Sequence, residues 1–125
     1  MDTTPHLLVV DDHHAHRELI ALRLRVLGCT CVAVPSVPAA IDALSRERFD
    51  VVLSDHSLPG PSGLDLLAYM RHRQPDTPFV LMSSSVDDEL RSDALALGAR
   101  SVHDKSDLVD SPAPVLHHER SMLAA

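Results

Sequence analysis

The sequence predicts an α/β domain in which a five-stranded parallel sheet carries helices on both faces. Three observations predict it. Short apolar, β-branched runs alternate with longer segments of helical period. The runs recur at intervals of about two dozen residues, which suits one strand, one helix and two short loops per unit. Parallel neighbours also need a crossover between them, and the intervening segments are long enough to supply it.

Four strands stand out: Leu7-Leu8-Val9-Val10 ending at Asp11, Cys31-Val32-Ala33 ending at Val34, Val51-Val52-Leu53-Ser54 ending at Asp55, and Phe79-Val80-Leu81-Met82 ending at Ser83. A weaker fifth, Ser101-Val102-His103-Asp104, ends at Lys105 and takes the next place in the rhythm. The first helix, about His14 to Leu27, carries Leu19, Ile20, Leu22, Leu24 and Leu27 as a broad apolar stripe and stops at Gly28. The second starts from Ser36 as N-cap, with Pro38 tolerated in the first turn. The third begins near Ser62, turns Leu64, Leu67 and Ala68 inward, and must end before Pro75. The fourth has Asp87, Asp88 and Glu89 at its start, where carboxylates favour the helix dipole, and stops at Gly98. The run Ser83-Ser84-Ser85 offers it a further N-cap. Residues 106–111 read as a loop, and the last helix is expected over Pro112 to Leu123, capped by Ser111.

The 125 residues, 45% of them hydrophobic, fit one domain over 1–125 and leave no room for a second. The start, Met1-Asp2-Thr3-Thr4-Pro5, has neither the basic region nor the apolar core of an export signal, and no apolar run could span a bilayer; a soluble, cytoplasmic chain is expected. With a net charge of -7 and scattered Lys and Arg, direct nucleic-acid binding is not expected. Cys29 and Cys31 sit two apart near a strand, where side chains point the same way and bridge poorly, so free thiols are expected.

The chemistry-bearing residues stand at the carboxyl ends of the strands: Asp11 and Asp12 after the first, Asp55 on the third, Ser83 on the fourth, Lys105 on the fifth. In open α/β sheets ligands bind at that edge. If the first and third strands are neighbours, followed by the fourth and fifth, these side chains share one crevice. Three carboxylates there repel strongly, and a divalent cation relieves them; all-oxygen ligation suits Mg2+. Such a site suits phosphoryl transfer, which needs positioning and charge stabilisation, and Asp55, central among the group, is the candidate nucleophile.

These residues resemble the receiver domain of bacterial two-component response regulators over essentially the full length. The matching positions are Leu8-Val9-Val10-Asp11-Asp12, Asp55 with Leu58-Pro59-Gly60 and Gly63, Ser83-Ser84, Gly98-Ala99 and Lys105. The resemblance implies a flavodoxin-like fold with strand order 2-1-3-4-5 and phosphotransfer from a sensor histidine kinase or a histidine phosphotransfer protein to Asp55. It implies Mg2+ held by Asp12 and Asp55, by Asp11 through water, and by the Ser57 carbonyl. Ser83 matches the family's switch hydroxyl, Ser84 its small neighbour and Lys105 its phosphate-contacting lysine. A downstream protein would dock on the fourth helix, fifth strand and last helix; homodimerisation stays open. On this reading the chain is no enzyme beyond its own phosphorylation and dephosphorylation.

Two departures stand out. Val102 occupies the place of a switching Tyr or Phe, and Ser106 that of the proline after the lysine. A phosphorylation-independent interaction module therefore remains an alternative, as does the receiver part of a longer regulator with a DNA-binding or enzymatic output. A dehalogenase-like phosphatase would need a second Asp two residues after the nucleophile, where Ser57 stands, and a flavin carrier lacks both a phosphate-cradling loop and aromatic rings. The nine histidines match no zinc spacing; His13, His14, His16 and His117-His118 are expected to be solvated, and His56 to be a variable loop residue.

Overall fold

The computed structural model describes residues 4–116. Along the chain run β1 (His6–Val10), α1 (His14–Val26), β2 (Thr30–Val34), α2 (Val37–Arg46), β3 (Val51–Asp55), α3 (Gly63–Arg73), β4 (Phe79–Ser83), α4 (Asp88–Leu97), β5 (Ser101–Asp104) and α5 (Lys105–Asp110). The five strands form one sheet in the order β2-β1-β3-β4-β5, with every pair parallel. The expected doubly wound fold and strand order are therefore observed.

Residue alternation divides the core into two layers. Leu8, Val10, Val52 and Leu81 face α2, α3 and α4, meeting Ala40, Leu66, Leu67, Met70 and Ala94. Leu7, Val9, Leu53, Val80 and Met82 face the other way, onto Ile20 and Leu24 of α1 and Leu108 of α5. Because both faces are covered, β3 and β4 are buried along their whole length, which explains unbroken apolar runs instead of alternation.

Several local expectations need correction. Residues 106–111 are not all loop, since α5 begins at Lys105 and runs to Asp110. The Asp104 side chain caps it by accepting from the Ser106 amide at 3.1 Å, and the fully buried Leu108 anchors it. A further helical stretch covers residues 113–116, and the remainder of the expected last helix lies outside the described residues. The inward face of α3 is Gly63, Leu66, Leu67 and Met70, with Leu64 and Ala68 only half-buried. On α1 the buried set is Ile20, Ala21 and Leu24, leaving Leu22 and Leu27 about half exposed at 55% and 49%. The cap of α4 is Asp87, which accepts from the Leu90 amide at 2.7 Å, and the Ser83 hydroxyl accepts from the Ser85 amide instead. Ser36 caps α2 as expected, and both thiols are free, Cys29 buried and Cys31 half-buried.

No helix among the described residues is long and apolar enough to cross a membrane.

Candidate functional site

The switch point of the sheet lies between β1 and β3, where successive strands are added in opposite directions. The register places Val10 opposite Ser54, so Asp11 leaves β1 beside the place where Asp55 ends β3. Ser83 ends β4 opposite Asp104, and Lys105 follows directly. Topology alone thus brings four expected residues to one rim.

At this rim polar groups lie where apolar ones would normally be. Asp11 is fully buried, and Asp55, Ser83 and Lys105 are exposed by no more than 6%. The Lys105 ammonium donates to Asp11 Oδ1 and to Asp55 Oδ2, each at 2.9 Å. Asp11 Oδ1 also accepts from the His13 amide at 2.9 Å, and Asp55 Oδ1 from the Ser57 amide at 3.3 Å. The remaining acceptor, Asp11 Oδ2, is buried with no hydrogen-bond partner. Asp12 is exposed, yet it can bring a carboxylate oxygen within 4.8 Å of ligand atoms on Asp11 and Asp55.

Electrostatics follow from this packing. Burial pushes the Asp55 carboxyl above its ordinary value, outweighing the Lys105 hydrogen bond and charge that favour ionisation, and the nearby Asp11 pushes it further up. Burial works the other way on Lys105, but the bonds and charges of Asp11 and Asp55 prevail and raise it, keeping it an ammonium. When all three carboxylates are ionised, one ammonium leaves two negative charges uncompensated. An all-oxygen donor set with an orphaned buried acceptor fits a hard divalent cation, so the residues present suit Mg2+.

Ser83 is buried at the same rim, where its hydroxyl accepts from the Ser85 amide; the wall of the cleft beside Asp55 and Lys105 includes Ser84. Ser57 also lines the cleft. Val102 is buried in the core, and its carbonyl accepts from Arg91 Nη1 at 2.9 Å, which ties α4 to β5. Sequence reasoning missed Asp104 and Asp110, which line the cleft from the α5 side. Reading that segment as loop hid them, although an Asp before a short apolar turn is a capping signal. His13 and His14 are exposed as expected and His16 is half-buried, and all three line the open cleft. His56 is only half-buried, but its Nδ1 is enclosed without a partner, and His117-His118 lie outside the described residues.

The structure is thus a doubly wound domain with a carboxylate and lysine pocket at its switch point. The chain belongs to the response regulator receiver domain family, whose model matches residues 7–108. It is 38% identical over 93 residues to the response regulator protein FleR of Pseudomonas aeruginosa, covering 74% of this chain and 20% of FleR. It is 33% identical over 99 residues to the transcriptional regulatory protein FixJ of Bradyrhizobium diazoefficiens, covering 79% of this chain and 48% of FixJ. The chain therefore spans less than half of either relative. Among solved structures, the Francisella response regulator 1452 receiver domain superposes with a TM-score of 0.80 at 20% identity, covering 94% of this chain and 99% of that one. The chemotaxis response regulator CheY4 of Vibrio cholerae superposes with a TM-score of 0.77 at 22% identity, covering 90% and 99%. At these identities the likeness speaks for the fold.

Proposed function

We propose that this domain accepts a phosphoryl group on Asp55 and thereby switches a protein-binding surface. The observation that carries the reading is the Asp55 carboxylate held at 2.9 Å by a buried ammonium beside an unpartnered Asp11 oxygen. An Asp55 oxygen attacks phosphorus, the bond from phosphorus to the donor's leaving atom breaks, and that atom keeps the electron pair. Lys105 stays an ammonium throughout and moves its hydrogen bond from the carboxylate to a phosphoryl oxygen. Asp12, Asp55 and the Ser57 carbonyl, with Asp11 through water, would hold Mg2+, which when bound would neutralise charge at this rim. Ser83 gives up its bond to the Ser85 amide and donates its hydroxyl to the modified Asp55, drawing the segment after β4 inward. The added group brings about 1.5 to 2 negative charges to this rim.

The proposed donor is a sensor histidine kinase or a histidine phosphotransfer protein. The output face is α4, β5 and the α5 end, where Arg91 couples α4 to the Val102 carbonyl and no aromatic ring stands at position 102. The reading includes a single domain over 1–125, a cytoplasmic location, no enzymatic activity beyond the domain's own phosphorylation and dephosphorylation, and no direct contact with nucleic acid. A second reading, the receiver portion of a longer regulator, is favoured by the small share of FleR and FixJ that the chain covers.

Incubation with acetyl phosphate and Mg2+, read by intact mass, tests the proposal. The expected result is one added phosphoryl group in the wild type and none in Asp55→Asn or after chelation of the metal. An unmodified wild type, or an equally modified Asp55→Asn, would overturn it.

A further inference from the structure

The cleft above Asp55 has a volume of about 860 Å³ and is walled on one side by His13, His14 and His16. That volume lies within the range of small-molecule sites and exceeds what a phosphoryl group and one ion need. The partners of two rings fix their chemistry. His13 Nδ1 accepts from the His16 amide at 3.3 Å, and His14 Nδ1 faces Arg17 Nη2, an obligate donor, at 3.0 Å. A neutral imidazole that accepts at Nδ1 carries its proton at Nε2, so each ring keeps an N–H donor there and has no lone pair free for a metal. Both rings are also held in place. His13 stacks on His16 with centroids 3.9 Å apart, and Arg17 bonds the Asp11 carbonyl at 2.9 Å while engaging His14.

We propose that His13 and His14 recognise the leaving group of a small acyl-phosphate donor, each through its Nε2–H. The inference rests on Asp55 being the phosphoacceptor. Displacement at phosphorus runs in line, so a nucleophile on the cleft floor sends the leaving group outward, toward the rim. Asp55 is 4% exposed, whereas His13 and His14 are exposed rim residues. In the step the acyl-oxygen-to-phosphorus bond breaks, a bond from phosphorus to an Asp55 oxygen forms, and a carboxylate departs with the electron pair. No proton need move. Negative charge grows on the departing carboxylate, and two fixed neutral donors at the rim favour it more than they favour the intact donor.

The test compares acetyl phosphate with phosphoramidate as donors, with intact-mass time courses for the wild type, His13→Ser, His14→Phe and the double variant. Serine at position 13 keeps an N-cap for α1, and phenylalanine at 14 keeps a ring without the N–H. Phosphoramidate releases neutral ammonia, on which no negative charge grows and which has no carboxylate oxygen, so the ratio of the two rates isolates recognition of the acyl leaving group. The acetyl phosphate to phosphoramidate rate ratio should fall about fivefold for each ring removed, the worth of one neutral hydrogen bond, and His14→Gln should recover part of the loss. An unchanged ratio, including an equal loss with both donors, would overturn the proposal while leaving the role of Asp55 intact. Failure of the wild type to accept phosphoryl from either donor would overturn both.

Discussion

The two ends of the sheet treat their polar groups in opposite ways. At the amino end, His6 is saturated: its amide donates to Asp50 Oδ2 at 2.8 Å, and its ring nitrogens meet Thr30 Oγ1 and Glu47 Oε1 at 2.6 Å each. The ring also stacks on Phe49 with centroids 4.8 Å apart. At the carboxyl end, three carboxylates gather around one ammonium that bonds only Asp11 and Asp55, and a buried oxygen of Asp11 has no partner. The first arrangement fastens β1 to its neighbours and asks nothing of a ligand. The second is incomplete as protein alone, because a buried acceptor without a donor is costly unless something else completes it.

Removing one group from each end should separate these roles. Lys105→Met leaves two buried carboxylates without their cation and should lower stability by about 3 kcal/mol in metal-free urea denaturation, with Mg2+ restoring part of the loss. Equal stability with and without the lysine would mean the rim is not under charge strain. Gly63→Ala should come next. A Cβ there would sit 2.5 Å from the Asp55 carbonyl oxygen and 2.9 Å from His56 Cα, so backbone must shift, at about 1–3 kcal/mol and with slower phosphorylation. At the other end, His6→Ala should cost about 1–2 kcal/mol from lost hydrogen bonds and leave the phosphorylation rate at the wild-type value. A fall in that rate would show that the two ends are coupled.

The smallest expected effect is on pH dependence. The folded-state pKa of Asp55 lies above the ordinary 3.8, so the folded protein holds that proton more tightly than the unfolded chain. Asp55 therefore favours folding at pH below 3.8, and this advantage disappears as pH rises through the raised value. Lys105, raised above 10.5, contributes stability that is lost only as pH climbs through its folded value at the alkaline end. In metal-free denaturation the wild type should lose stability relative to Asp55→Asn as pH rises through the raised value; parallel curves would contradict it.

Much of this was legible in the sequence because of burial. Runs such as Val51-Val52-Leu53 are apolar on both faces of a covered sheet, and the residue that ends each run must sit at the rim. Gly28 and Gly98, both at positive φ, close their helices where the pattern places them. What escaped depends on contacts between distant residues. The inward face of α3 is set by Gly63 pressing against the Asp55 carbonyl, which helical period cannot reveal. The short α5 resembles a loop in composition because its cap and first turn are acidic. The His6 clasp joins residues 24 to 44 positions apart, and no local pattern marks it. Likewise, the His13 and His14 tautomers follow from which donors reach them, not from histidine spacing.

Substituting Mn2+ for Mg2+ and recording amide NMR signals addresses the contrast between the ends most directly. Paramagnetic broadening should be strongest at Asp11, Asp12, Asp55 and Ser57, and far weaker at His6, Glu47 and Phe49. Broadening spread over exposed acidic residues such as Asp42 and Asp76, with the rim signals intact, would contradict a divalent site at the carboxyl end.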